Sequence, residues 1–152
     1  MPIGTLFLVV APEGMTGSLL EQARSSFARE SRVVIPRRVM TRAPDGGAEL
    51  YQAVTPAQFD RMRRNGAFVL CWSGEGVNYG IPATLVEDLS AGKAVVIQVD
   101  RSVVPLACRK FGRAVVLEDV PAALVAIEIR QTLDGRRSPL RPVREVRAEP
   151  RA

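Results

Sequence analysis

Short apolar runs alternate with amphipathic segments along this chain. Runs of apolar and β-branched residues predict strands, and the predicted strands occupy residues 6–10, 32–35, 50–54, 94–99 and 114–117. Apolar residues at helical spacing, with capping residues at their ends, predict helices over residues 17–30, 55–66, 84–90, 103–110 and 121–133. The pattern therefore predicts strands that are joined by helices.

The middle of the chain has a different residue pattern. Residues 42–47 are rich in turn formers, and the segments 67–72 and 77–80 predict a hairpin around residues 73–76. Buried strands joined by helices predict an α/β fold with a parallel sheet, in which ligands bind beyond the carboxyl ends of the strands. Those ends are residues 11–18, 36–38 and 100–101.

Residues 11–18 have the position of a phosphate-binding loop, whose backbone N–H groups surround nucleotide phosphates. The residues predicted to bind phosphate are Gly14, Thr16, Gly17 and Ser18, and the Ser18 hydroxyl is the predicted ligand of Mg²⁺. Such a loop normally carries a lysine, but no lysine precedes Lys93, and Glu13 adds a negative charge. We therefore expect weakened binding of ATP at this loop.

The composition excludes several kinds of chemistry. The chain has no histidine, and its two cysteines, Cys71 and Cys108, are far apart, so a zinc site or a Cys–His nucleophile cannot form. Of the 21 cationic residues only Lys93 and Lys110 are lysines, and arginine suits bidentate phosphate contacts. No apolar run is long enough to cross a bilayer and no secretory signal is evident, so we expect a cytoplasmic protein without a membrane partner.

Six short motifs occur in a family-like order. They are residues 10–14 (VAPEG), 38–42 (RVMTR), 54–59 (VTPAQF), 68–72 (FVLCW), 78–80 (NYG) and 92–96 (GKAVV). From Leu6 to about Arg137 the chain resembles the guanylate-kinase-like group of P-loop kinases, and it looks closest to the ribose 1,5-bisphosphate phosphokinase family. The resemblance implies a P-loop NTPase-like parallel sheet flanked by helices. It also implies phosphorylation of ribose 1,5-bisphosphate to phosphoribosyl diphosphate with ATP and Mg²⁺.

The resemblance assigns roles to individual residues. The acceptor, a phosphorylated small molecule, would be bound by Arg38, Arg42, Trp72 and Tyr79. The implied catalytic residues are Asp100, at the end of a strand, and Arg136, in the lid.

Four of these residues could instead have a purely structural role. Arg38 could be a surface charge, Tyr79 a half-buried hairpin residue and Trp72 a core residue. Asp100 could form a structural ion pair with Arg101.

The chain is predicted to be one domain followed by a tail. Residues 1–135 form the guanylate-kinase-like domain, with an acceptor-binding region at about 36–82. Residues 136–152 are rich in arginine and proline and are predicted to be flexible, in place of the further lid and last strand that the family has.

Two hypotheses about function stay open. The chain is an active kinase with an unusual loop, or a non-catalytic relative that recognises a phosphorylated sugar, a nucleotide or a partner protein. Neither hypothesis fixes the oligomeric state, and a cation supplied by another chain is compatible with both. RNA binding by the tail is a third idea, but no aromatic residues lie among its arginines, which does not favour nucleic acid.

Overall fold

The computed structural model describes residues 4–41 apart from 11–22, residues 51–134 apart from 75, 119 and 121, and the backbone of 143–147. In chain order its strands are β1 Leu6–Val10, β2 Val33–Val34, β3 Arg38–Met40, β4 Tyr51–Ala53, β5 Phe68–Gly74, β6 Val77–Pro82, β7 Ala94–Val99, β8 Arg113–Glu118 and β9 Val143–Arg147. The helices are α1, described over residues 23–26, then α2 Pro56–Arg64, α3 Leu85–Ser90, α4 Val104–Phe111 and α5 Ala122–Leu133. A 3₁₀ turn, Arg101–Val103, precedes α4.

The larger sheet has five strands in the order β2-β7-β1-β8-β9. Strand β1 runs parallel to β7 on one side and to β8 on the other, and all five of its residues are buried. Successive side chains of β1 enter two separate apolar clusters, one containing Phe7 and Val9 and the other containing Leu6, Leu8 and Val10. This sheet is thus covered on both faces, as the continuous apolar run predicts.

Different helices cover the two faces of the larger sheet. Phe27, which follows α1, and Ile129 of α5 belong to the cluster that contains Phe7. Leu85 of α3 and Ala107 of α4 belong to the cluster that contains Leu8. Both clusters also receive residues of the smaller sheet, so the two sheets share their apolar packing.

The smaller sheet has four strands in the order β4-β3-β6-β5. Strands β5 and β6 form an antiparallel hairpin, and β3 pairs antiparallel with β6 and parallel with β4. Helix α2 packs on the hairpin through Phe59, whose ring stacks on that of Phe68 at 4.8 Å between centroids. Thr55 and Gln58 form a capping box at the first turn of α2, and Pro56 follows the cap.

The described part of the chain confirms the predicted strands, the hairpin and the helices near 55–66, 84–90, 103–110 and 121–133, with ends shifted by one or two residues. Two features differ from the predictions. The helix predicted over residues 17–30 is described only from residue 23 and ends at residue 26, and Val143–Arg147, within the tail predicted to be flexible, pairs antiparallel with β8. The strand at 143–147 was missed because its three charged residues and its proline-containing flanks suggest a solvated segment. No helix among the described residues is long and apolar enough to span a membrane.

Gly80 tests the packing of the hairpin against α2. A Cβ at this position would lie 2.7 Å from two ring atoms of Phe68, whereas a Cβ at Gly74 on the neighbouring strand meets no atom within 4 Å. We expect Gly80→Ala to lower the free energy of unfolding by about 1–3 kcal/mol, because the ring must move against Phe59. Gly74→Ala is the matched control and should change it by less than about 0.5 kcal/mol. Equal effects in urea unfolding would contradict this packing.

Candidate active site

Three strand ends of the larger sheet meet at one edge. Val10, the last residue of β1, is in register with Val99 of β7 and with Glu118 of β8. Asp100, which follows β7, and Glu118 therefore flank the end of β1, where the predicted phosphate-binding segment begins. The predicted phosphate-binding residues Gly14, Thr16, Gly17 and Ser18, the last of them also the predicted Mg²⁺ ligand, lie outside the described residues.

Arg38 lies at this edge, at the start of β3, and only 7% of it is exposed. Its Nη1 donates a hydrogen bond to the backbone carbonyl of Gln98 at 3.3 Å, and its guanidinium lies 4.9 Å from the centre of the Tyr79 ring. The alternative that Arg38 is a surface charge is therefore wrong. A buried guanidinium requires polar and aromatic contacts of this kind, since its desolvation is otherwise costly.

Tyr79 and Trp72 extend the contact from Arg38 across the smaller sheet. Tyr79 is opposite Trp72 in the hairpin and opposite Met40 of β3, and the Trp72 and Tyr79 rings stack with centroids 5.4 Å apart and planes inclined by 17°. Side chains two residues apart on a strand share a face, so Arg38 lies on the face of Met40. The resulting row is called the Arg38–Tyr79–Trp72 stack.

The two aromatic residues of the stack are half-buried. Tyr79 packs against the apolar cluster of Phe7, and Trp72 packs against that of Leu8. Trp72 also lines a surface cavity of about 240 Å³ with Phe59 of α2. Trp72 therefore combines the predicted core packing with a contact on Tyr79.

Gln98 is a residue of the site that sequence reasoning missed. It lies in β7, is 4% exposed, and its carbonyl holds Arg38. Its side-chain Oε1 has no hydrogen-bond partner among the described residues. The available signal was a single polar residue in the otherwise apolar run of β7.

Asp100 and Arg101 follow β7 but do not pair through a direct contact. The Ser102 hydroxyl and the Ser102 N–H, at 3.0 Å, donate to Oδ2 of Asp100. Hydrogen bonds from the Ser102 hydroxyl and then from its N–H lower the pKa of the Asp100 carboxyl, and the charge of Arg101 adds a smaller effect.

Arg101 instead pairs with Glu118, with 2.8 Å between Nε and Oε2. The alternative of an ion pair between Asp100 and Arg101 is therefore wrong as a direct contact. Glu118 was not foreseen, because its position beside β1 follows only from strand order.

Two predicted site residues, Arg42 and Arg136, lie outside the described residues. Within the described ranges no group of three or more Asp, Glu, His or Cys side chains could hold a metal ion. The structure thus brings together Arg38, Tyr79 and Trp72 on one face, and places Asp100 at the adjoining strand end.

Known proteins resemble this chain in sequence and in fold. A comparison with models of protein families finds no match. The ribose 1,5-bisphosphate phosphokinase PhnN of Acidiphilium cryptum is 41% identical over 127 residues, which are 83% of this chain and 67% of that protein. The ribose 1,5-bisphosphate phosphokinase PhnN of Pseudomonas paraeruginosa is 38% identical over 143 residues, 90% of this chain and 73% of that protein.

A solved structure shares the fold. The guanylate kinase of Anaplasma phagocytophilum superposes with a TM-score of 0.67 at 16% identity, over 88% of this chain and 86% of that one. This likeness confirms the α/β P-loop NTPase-like fold with its parallel sheet and flanking helices. The sequence identities to the two phosphokinases show that the chain belongs to the ribose 1,5-bisphosphate phosphokinase family.

Proposed function

We propose that this chain binds ribose 1,5-bisphosphate against the Arg38–Tyr79–Trp72 stack and phosphorylates it with ATP to give phosphoribosyl diphosphate. The observation that carries the proposal is the buried position of Arg38 beside the strand ends, held by the Gln98 carbonyl and the Tyr79 ring. Two relatives that are 41% and 38% identical to this chain carry the name of that activity.

The stack suits an acceptor that carries phosphates but no base. A guanidinium in a partly desolvated place attracts an anion more strongly than one in water, and its planar fork matches phosphate oxygens. Holding Arg38 by a carbonyl and a ring limits its motion, so less entropy is lost when it binds a phosphate. The Tyr79 hydroxyl would add a hydrogen bond to the same ligand.

The residues at the strand ends fit the use of ATP with Mg²⁺. Mg²⁺ is usually held by one or two carboxylates together with phosphate oxygens and water, and Asp100 places a carboxylate at this strand end. Asp100 would hold the ion, together with the predicted ligand Ser18. When bound, ATP supplies the transferred phosphoryl group and Mg²⁺ neutralises charge on it.

A second candidate function is non-catalytic binding of a phosphorylated sugar. It is favoured by the absence of lysine from residues 11–18, because that lysine normally neutralises the phosphates of the donor. A protein of this kind would keep the contact of Arg38 with the sugar phosphate and would not turn ATP over.

The two candidates are separated by one set of assays. We expect the protein to convert ribose 1,5-bisphosphate, ATP and Mg²⁺ to phosphoribosyl diphosphate. Arg38→Gln should raise the KM for the sugar about tenfold or more and leave the KM for ATP nearly unchanged, because it removes a charge-assisted contact with the acceptor. The control is Arg61→Gln, which removes the same charge from an exposed position on α2.

The buried position of Arg38 calls for a milder second variant. Tyr79→Phe keeps the stacked ring and should weaken calorimetric binding of the sugar severalfold through loss of one hydroxyl. Sugar binding without turnover would support the non-catalytic candidate. If the sugar does not bind, or if Arg38→Gln behaves as Arg61→Gln does, both candidates are wrong.

The ionisation of Asp100 gives a pH prediction. Since its pKa lies below the ordinary 3.8, the ionised carboxyl stabilises the fold above pH 3.8, and this contribution is lost as pH falls through the lower folded-state pKa. Ser102→Ala removes the hydroxyl donor and should move the pKa of Asp100 upward in an NMR titration of the carboxyl. Ser90→Ala, at the exposed end of α3, should leave it in place. An unchanged pKa in Ser102→Ala would refute the assigned cause.

A further inference from the structure

We propose that Arg101 supplies the cation for the donor phosphates that residues 11–18 lack, and that Glu118 holds Arg101 at that place before the nucleotide binds. The proposal rests on the proposed kinase function, because it names the group that neutralises the donor's phosphates. The sequence has no lysine between the end of β1 and Lys93, so a cation that this chain itself supplies comes from an arginine or from far along the chain.

The order of strands places Arg101 at the end of β1. Strand β1 lies between β7 and β8, and its last residue, Val10, is in register with both Val99 and Glu118. Adjacent strands are about 4.8 Å apart, so the ends of β7 and β8 are separated by about 10 Å across β1. Arg101 follows β7 by two residues and reaches Glu118 at 2.8 Å. The ion pair therefore bridges the end of β1.

The pair is held loosely enough to exchange partners. The side chain of Arg101 is 71% exposed and that of Glu118 is 21% exposed. Although Oε2 of Glu118 lies 2.8 Å from Nε of Arg101, this oxygen is buried and accepts no hydrogen bond among the described residues. Ion pairs in water contribute little, because solvent screens the charges and both side chains lose freedom. A polyphosphate carries more negative charge than one carboxylate and accepts bidentate contacts from a guanidinium. The phosphates of a nucleotide can therefore compete with Glu118 for the exposed guanidinium of Arg101.

The neighbouring groups already have other contacts. Asp100, the nearest carboxylate in sequence, accepts hydrogen bonds from the N–H and the hydroxyl of Ser102. Arg101 pairs with Glu118 instead of with Asp100. Arg38 is also close to the end of β7, but it is buried and bound to the Gln98 carbonyl on the side of the smaller sheet. The two arginines thus divide between them the two anions of a kinase reaction, Arg38 at the acceptor and Arg101 at the donor.

Calorimetry with inorganic tripolyphosphate, with and without Mg²⁺, tests the proposal directly. We expect Arg101→Gln to weaken binding about tenfold or more, because a charge-assisted contact is lost. Arg109→Gln, an exposed arginine on α4 with the same change of charge, should stay within about twofold of the parent chain. Glu118→Gln should strengthen binding by about two- to fivefold, since Arg101 no longer has to leave a carboxylate.

A parallel titration with ribose 1,5-bisphosphate distinguishes this proposal from the proposed function. We expect Arg101→Gln to bind the sugar within about twofold of the parent chain. The Arg101 proposal is overturned if the parent chain does not bind tripolyphosphate, if Arg101→Gln and Arg109→Gln bind it equally, or if Arg101→Gln weakens only the sugar. If the parent chain does not bind ribose 1,5-bisphosphate but binds tripolyphosphate in a way that depends on Arg101, only the proposed function is overturned.

Discussion

Strand β1 is paired along both edges and buried on both faces, and the positions of the site residues depend on this. Its register with β7 and β8 sets Asp100 and Glu118 on either side of Val10. Its side chains contribute to both apolar clusters, so helices pack on each face. A shift of β1 by one residue would exchange the two sets of side chains and separate the strand ends.

The smaller sheet is joined to this edge by apolar packing and by a polar contact. Leu70 and Ile81 enter the same cluster as Val99, while Arg38 donates to the Gln98 carbonyl of the same strand. The apolar contacts supply stability, and the polar contact fixes one cation at one place. A cation held in one orientation is suited to recognising phosphate, because its orientation does not have to be created on binding.

Local signals predicted much of the fold and part of the site. The helix over residues 55–66 and the apolar run of β7 are encoded within a few residues, and the structure confirms both. Strand β9 could not be predicted in this way, because it exists through its pairing with β8, about 30 residues earlier. The Arg101–Glu118 pair could not be predicted either, because it depends on the order of the strands. The contact of Arg38 is with a backbone carbonyl, which every residue has, so the sequence gives no signal for it.

A crystal structure of the chain with ribose 1,5-bisphosphate tests the central claim most directly. We expect one phosphate of the sugar to contact the Arg38 guanidinium on the face of the smaller sheet that carries Tyr79 and Trp72. Arg38 should keep its place over the Tyr79 ring, as it has in the free protein. A sugar bound elsewhere, with no phosphate within hydrogen-bond distance of Arg38, would contradict the claim.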